Sequence, residues 1–411
     1  MKYPMDGYLK VSAYDQSIGK PVIKARVQIT EGSQPDKIID EFYTDNSGQA
    51  YDITLPAPPI EYSMEPGQPQ PYSLYNVKVK AQGYEDIEVK GVQVLPNEES
   101  YQDIFLQPGP GTVIEEIAIP PSTLYGTYPE KTPESEVKKL PQPTGFIVLP
   151  EPVIPEYIVV HAGIPTNAAA PNYWVPFKDY IKNVASCEIY STWPVETIRA
   201  NVYAILSLTL NRVYTEWYRN KGFNFTITNS TQFDQAFTYG RNIFAEISQV
   251  VDEIFTSYIT KPNIDQPLFT QYCDGRNSQC PTWMSQWGSK DLGDQGYTAI
   301  NIIKTYYGWD SYLATATQVQ GVPTSFNGVP LLLGSTGNAV RTIQTQLNTI
   351  SNNYPAIKKI AVDGSYGLDT QNQVAKFQSI FKLPSTGIVD KATWYKISEI
   401  FVAISKLASG L

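Results

Sequence analysis

The sequence predicts a multidomain fold, in which an all-β unit is joined by a proline-rich connection to two further units. Three observations support this prediction. Apolar and polar residues alternate in the N-terminal part, prolines then cluster without apolar periodicity, and apolar residues afterwards recur at helical spacing. The expected boundaries are 1–108 for the β unit, 109–156 for the connection, 157–320 for the central unit and 328–405 for the C-terminal unit.

The N-terminal unit is predicted to be an antiparallel β-sandwich. Alternation is typical of strands with one buried face, and it occurs at residues 8–14 and 75–81. Turn-forming residues separate such segments. The run 44–50 and the corner 81–84 resemble those of transthyretin-type, carboxypeptidase-regulatory-like domains. This resemblance implies a fold and is silent on function.

The connection is rich in proline and poor in periodic apolar positions. Prolines recur at 120, 121, 129, 133, 141, 143, 150, 152 and 155. This composition favours an extended, polyproline-like backbone. Exposed backbone with few hydrogen bonds is where proteases cut.

Charge and hydropathy exclude some partners. The formal net charge of −9 argues against nucleic acid, because phosphate binding needs clustered Lys and Arg. No apolar run is long enough to span a membrane. We see no signal peptide between Met1 and Lys10, because this segment has no apolar core.

The cysteines allow one local disulfide. Cys273 and Cys280 have six residues between them, and they are expected to be either disulfide-bonded or free thiols. This spacing is not that of a zinc site, and His161 is the only histidine, so we expect no metal and no cofactor. Cys187 lacks an evident histidine base and is expected to be a packing residue rather than a nucleophile.

Glu188 is the candidate general acid. An apolar helical face reaches it from Phe177, Tyr180, Ile181, Val184 and Ala185. An ionised carboxylate is costly on an apolar face, and the C-terminal end of a helix disfavours negative charge. Both effects favour the protonated form that a general acid needs. Spacing alone leaves open a structural role, with Arg199 on the next helix as partner.

The C-terminal unit has glycines at turn positions and a small apolar core. The glycines are Gly334, Gly337, Gly364, Gly367 and Gly387, and the expected core residues are Val340, Ile343, Leu347, Val374, Phe377 and Trp394. Along its whole length the unit resembles the type 1 peptidoglycan-binding domain. The resemblance implies a three-helix fold with peptidoglycan as the partner.

The central unit resembles the stage II sporulation protein D-type lytic transglycosylases. Residues 180–194 and 198–201 are similar to the catalytic motif, and 284–290 with 295–297 and 306–308 to the second signature. The resemblance implies an α+β domain with Glu188 as the catalytic acid. The candidate substrate contacts are Tyr239, Gln235, Ser285, Gln286 and Trp287. Core packing or turn hydrogen bonding is the alternative for each.

The resemblance also implies a reaction without water. The carboxyl protonates the glycosidic oxygen between N-acetylmuramic acid and N-acetylglucosamine, and the carboxylate then accepts the proton of the muramic C6 hydroxyl. That hydroxyl closes on C1 and leaves a 1,6-anhydro end. No second carboxylate is required, unlike in the two-carboxylate hydrolases. Asp179, Glu196 and Asp234 are the acids that could approach Glu188 in the fold.

The order of the units resembles the clostridial spore cortex-lytic enzymes. This implies a precursor in the cortex or coat region of the spore, acting on cortex peptidoglycan that contains muramic-δ-lactam. A subtilisin-like germination protease is expected to cut near Phe146, Ile147, Val148 and Leu149. The β unit would be a pro-domain that either covers the cleft or aids folding. The alternatives are a phage or prophage lysin and a non-catalytic wall-binding protein.

Overall fold

The computed structural model describes residues 5–129, 131–132, 149–278, 280–321 and 326–409, with side chains up to residue 405. Three residues of the predicted cleavage region, Phe146, Ile147 and Val148, lie outside the described residues. Leu149 packs against the main hydrophobic core, and its N–H donates to the carbonyl of Tyr214. The chain is multidomain, with an N-terminal β-sheet region and a C-terminal helical region.

The N-terminal region consists of two sheets around one core. Its strands are β1 (Met5–Asp15), β2 (Arg26–Glu31), β3 (Gln34–Tyr43), β4 (Gln49–Ala57), β5 (Ser73–Lys80), β6 (Asp86–Val94), β7 (Glu99–Leu106) and β8 (Ile114–Ala118). One sheet has the order β3-β2-β5-β6-β8, and the other contains β7-β1-β4. Alternate residues of both sheets fill the core, including Val11 of β1, Val27 of β2 and Val77 of β5.

Two details of this region differ from the sequence-based prediction. The pairs β1–β7 and β6–β8 are parallel, whereas a purely antiparallel arrangement was expected. Parallel neighbours need a long connection, and β6 reaches β8 by way of β7 in the other sheet. Strand β8 also lies inside the predicted connection 109–156. It is mostly exposed and has no alternation of burial along it, so its sequence carried no strand signal.

The central region combines helices with short strands. It contains β9 (Val153–Ile154), β10 (Tyr157–His161), β11 (Asn172–Pro176), α1 (Phe177–Glu188), α2 (Val195–Tyr214), β12 (Ile227–Thr228), β13 (Ile243–Phe244), α3 (Ala245–Ile254), β14 (Ser257–Thr260), β15 (Tyr272–Cys273), β16 (Met284–Ser285), α4 (Gln286–Asp294), α5 (Ala299–Tyr307), β17 (Tyr312–Thr315) and β18 (Gln318–Val319). Helix α2 follows Pro194 and is buried on nearly all sides, so the other helices pack around it.

The C-terminal region contains α6 (Asn338–Ile350), α7 (Leu368–Ile380) and α8 (Lys391–Ser409). The six predicted core residues are all buried, which confirms that part of the prediction. Two buried glutamines hold the turns: Gln344 accepts from the N–H of Gly364, and Gln378 accepts from that of Gly387. Within the described part of the chain, no helix is both long and apolar enough to cross a membrane.

Candidate functional site

Glu188 is the last residue of α1, and its side chain is buried, with 4% of the residue exposed. One carboxylate oxygen, Oε1, accepts from the N–H of Ala236 at 2.8 Å. The other, Oε2, accepts from the Gln286 amide at 3.2 Å and from the Thr123 hydroxyl at 3.0 Å. Both carboxylate oxygens therefore have hydrogen-bond donors, which come from three separate segments of the chain.

The acids and bases predicted as partners of Glu188 are bound elsewhere. Arg199 pairs with Glu253 and Glu196, so it is not the partner of Glu188. Asp234 accepts from Arg212 at 2.8 Å and from Tyr218 at 2.6 Å. Glu196 also accepts from the N–H of Ala299. Burial raises the pKa of Asp179, while the nearby Lys396 ammonium acts to lower it.

Among the described residues, no group of three or more His, Cys, Asp or Glu side chains is arranged to hold a metal ion.

The backbone donor at Glu188 is positioned by an asparagine of the same helix. The amide of Asn183 donates to the carbonyl of Thr238 at 2.8 Å, and its oxygen accepts from the N–H of Thr238 at 3.0 Å. This reciprocal pair fixes the loop that contains Ala236 against α1. The backbone N–H of Ala236 is therefore directed at the carboxylate of Glu188.

Gln286 reaches Glu188 from the first turn of α4. Its amide donates to the backbone carbonyl of Glu188 as well as to the carboxylate. Ser285 caps this helix, since its hydroxyl accepts from the N–H of Gly288 at 2.8 Å. Cys273 lies opposite Ser285 in the strand pair and is disulfide-bonded to Cys280, with a Cα–Cα distance of 5.8 Å. The disulfide-closed loop thus holds the start of α4.

The other predicted substrate contacts have different environments. Gln235 is fully buried, and its oxygen accepts from Tyr180 and Thr209, so it stabilises the core rather than facing a cleft. Trp287 is also buried, within 5.0 Å of Trp193 between ring centroids, and has no free face for a sugar. Tyr239 is 40% exposed and stacks on Tyr173 with ring centroids 4.6 Å apart.

Thr123 is a neighbour of Glu188 that was not predicted, and it belongs to the predicted connection. Besides the hydroxyl contact to Glu188, its N–H donates to the carbonyl of Cys187 at 3.0 Å. The neighbouring Ser122 donates to the Tyr190 hydroxyl at 3.3 Å, and Leu124 is buried in the same core as α1 and α2. This part of the connection is therefore packed across Glu188 instead of being exposed. No local pattern predicts such a contact, because its partners are far away in the chain.

The same segment continues past the carboxylate. Burial lowers the pKa of Lys131 to about 8, although the carboxylates of Glu188 and Asp234 act to raise it. The Lys131 ammonium lies 4.2 Å from the centroid of the Tyr272 ring. The N–H of Thr132 donates to the carbonyl of Gln232 at 2.7 Å. The described residues of the connection thus cover the site on both sides of Glu188.

A glutamate lies in the contact between the N-terminal and central regions. Burial raises the pKa of Glu98 to about 7, and the nearby Glu246 carboxylate adds to this shift. Glu98 precedes β7, whereas Glu246 is in the first turn of α3. The contact between the two regions is consequently most favourable when Glu98 is protonated.

Comparisons with known proteins identify one domain. Residues 336–397 match the family described as "Putative peptidoglycan binding domain", so the C-terminal region contains a type 1 peptidoglycan-binding domain. This domain indicates association with the cell wall. No curated protein matches the chain.

Similar solved structures cover a quarter of the chain. They include a "putative carbohydrate binding protein" from Bacteroides uniformis (16% identity, 25% of this chain, 42% of that chain, TM-score 0.19). The Bacillus anthracis TIE protein also matches (16% identity, 25% of this chain, 17% of that chain, TM-score 0.18). So does Klebsiella pneumoniae 5-hydroxyisourate hydrolase (14% identity, 25% of this chain, 91% of that chain, TM-score 0.16). The chain spans less than half the length of the first two.

Proposed function

We propose that this protein is the precursor of a peptidoglycan lytic transglycosylase that degrades spore cortex during germination. The observation that carries the proposal is the buried carboxylate of Glu188, which meets a backbone N–H and the Gln286 amide from separate segments. The peptidoglycan-binding domain would keep the enzyme on its polymeric substrate.

In the proposed reaction, protonated Glu188 gives its proton to the glycosidic oxygen as the bond from this oxygen to muramic C1 breaks. The muramic C6 hydroxyl then bonds to C1 and passes its proton to the carboxylate, which restores the acid. Gln286 and the N–H of Ala236 would stabilise the carboxylate between the two proton transfers. Glu188 both donates the proton and recovers it, so the reaction needs neither a water molecule nor a second carboxylate.

The uncut chain is proposed to be inactive, because Thr123 occupies the position next to the carboxylate. Its hydroxyl donates to Oε2, so the group that should protonate the substrate is held as a hydrogen-bond acceptor. A subtilisin-like protease that cuts near residues 146–149 would break the covalent link between this segment and the catalytic region, which is the first step toward its release. We accordingly place the protein in the spore as a stored precursor.

The test is mass spectrometry of cortex digested by trimmed protein that has been separated from its N-terminal fragment. We expect 1,6-anhydro ends from wild type and none from Glu188→Gln. The control Glu253→Gln changes a more exposed glutamate on α3 and should keep full activity. Reducing ends would indicate hydrolysis instead. Activity in Glu188→Gln would refute the assignment.

A second candidate is a non-catalytic wall-binding protein. The saturated carboxylate favours it, because three donors from the protein itself are what a structural glutamate needs. In that case trimmed wild type would bind cortex and release nothing. A lysin of vegetative wall would share the proposed chemistry, and it would digest peptidoglycan lacking muramic-δ-lactam equally well.

A further inference from the structure

The N-terminal region makes an extensive contact with the rest of the chain. We infer that, after a cut between residues 133 and 148, the N-terminal fragment stays bound, so that the surface around Asn242 is a docking site for this fragment. Covalent cleavage and emptying of the site would then be two separate events. The inference rests on the contacts between the two parts and does not require the protein to be an enzyme.

The first contact is a shared sheet. Strand β13 of the central region pairs with β7, with Ile243 opposite Tyr101 and Phe244 opposite Ser100. The side chain of the adjacent Asn242 bonds instead to Gln93 of β6, in the other sheet of the fragment. Its amide donates to the carbonyl of Gln93 at 2.7 Å, and its oxygen accepts from the N–H of Gln93 at 3.2 Å. Asn242 is fully buried, so loss of the fragment would expose its side chain and leave the backbone of β13 unpaired.

The loop before β13 adds side-chain contacts. Arg241 donates to the side-chain oxygen of Gln93 at 3.2 Å, and Gln102 donates to the carbonyl of Gly240 at 2.9 Å. Gly240 has a φ of +74°, and a Cβ there would lie 2.9 Å from Ile117 of β8. The loop is therefore closely fitted to the fragment.

A second contact lies near the start of α2. The indole N–H of Trp193 donates to the carbonyl of Ser63 at 2.9 Å, and Thr192 donates to the Ser63 hydroxyl at 2.8 Å. Tyr72 and Leu124 of the fragment belong to the same buried apolar cluster as Trp193. Dissociation would transfer these apolar side chains to water, which is unfavourable.

A third contact joins the fragment to the peptidoglycan-binding domain. The Gln49 amide donates to the carbonyl of Ile380 at 2.6 Å, and Lys382 forms an ion pair with Asp103. Tyr354 also donates to the carbonyl of Gly19 at 3.2 Å. The fragment is thus held by both downstream regions at once, and release requires all three contacts to break together.

The experiment is limited digestion of the full chain with subtilisin, with the cut located by mass spectrometry, followed by size-exclusion chromatography in native buffer. We expect both pieces to elute together at the position of the intact chain. We also expect the thiol of Cys187, which is buried, to react with a thiol reagent as slowly as in the uncut chain. Separation of the pieces without denaturant would overturn the inference. Absence of muropeptide release would bear only on the proposed function.

A matched pair of variants tests whether this surface retains the N-terminal fragment after the cut. Asn242→Ala should raise the dissociation rate of the fragment by roughly 10- to 100-fold. Asn348→Ala removes an equivalent reciprocal pair, in which Asn348 bonds both backbone groups of Ile360 at 2.8 Å inside the C-terminal region. It should leave retention unchanged. Equal rates for the two variants would argue against the surface. Elution of the cut wild type decides the inference if a variant does not fold.

Discussion

Replacing Thr123 with valine tests whether the connection closes the candidate site. Valine keeps the shape of the side chain and removes the hydroxyl that donates to Glu188 at 3.0 Å. The backbone contact between the N–H of Thr123 and the carbonyl of Cys187 remains. The substitution therefore isolates one hydrogen bond to a buried carboxylate.

A hydrogen bond to a charged group is worth about 1.5–3 kcal/mol. If the bond exists only in the closed arrangement, its loss shifts the equilibrium toward the open arrangement by roughly 10- to 100-fold. The closed arrangement is expected to dominate in the uncut wild type, so the open population should rise by that factor. The physical reason is that Oε2 then keeps only the Gln286 donor.

The assay is the rate at which a thiol reagent labels Cys187 in the uncut chain, together with muropeptide release by the same sample. With Cys273 and Cys280 bonded to each other, Cys187 is the free cysteine, and it is buried beneath this segment. Both rates should rise by the same factor in Thr123→Val. The control Thr123→Ser keeps the hydroxyl and should resemble wild type.

Once trimmed and separated from the N-terminal fragment, Thr123→Val and wild type should have the same activity, because residue 123 is removed with the fragment. The reasoning is refuted if uncut Thr123→Val labels at the wild-type rate. Faster labelling without any muropeptide release would support closure of the site by the connection and would reject the proposed enzymatic activity.

Three further predictions concern the surroundings of this site. Gln286→Leu should lower kcat of the trimmed protein roughly 10- to 100-fold with little change in KM, because the carboxylate loses a charge-assisted donor. Stability should depend on Glu98, whose pKa rises on folding from 4.5 to about 7. Its contribution of up to about 3 kcal/mol is complete below pH 4.5 and is lost as the pH rises through 7, measurable as the urea midpoint. Replacing Cys273 and Cys280 with serine should lower the free energy of unfolding by about 2 kcal/mol, measurable by thermal denaturation.

Each of these predictions has its own control. Gln295→Leu removes an exposed glutamine of the same helix region and should not change kcat, so an equal loss in both variants would contradict the role of Gln286. Glu98→Gln should flatten the pH dependence of the urea midpoint, and an unchanged slope would reject Glu98 as its source. A reducing agent should lower the Tm of wild type and not that of the double serine variant.

Local periodicity was enough to predict much of the fold. The helical spacing that begins at Phe177 correctly placed Glu188 at the end of α1. Pro194, a residue type that favours the first turn of a helix, directly precedes α2. The spacing of apolar residues over about 244–258 predicts a third helix, whereas α3 ends at Ile254 and β14 follows. The difference arises because a short buried strand has the same apolar composition as a helix end.

The candidate site was only partly predictable. Gln286, which donates to Glu188, could be selected because it lies in a recognisable segment. Tyr239 stays a predicted substrate contact. Gln235 lies in a recognisable segment too, yet its side chain points into the core. Sequence cannot separate the two outcomes, since both polar contacts and core hydrogen bonds use the same amide group.

The sequence by itself determined the order of the units, the helix that ends at Glu188 and the core of the peptidoglycan-binding domain. These features depend on residues that are close together in the sequence, so the spacing of apolar residues predicts them directly. Only the tertiary structure decided that Thr123 donates to Glu188 and that β13 joins the sheet of β7. Such contacts join residues far apart in the chain, and they form only when packing of the separate regions offsets the entropy of ordering them.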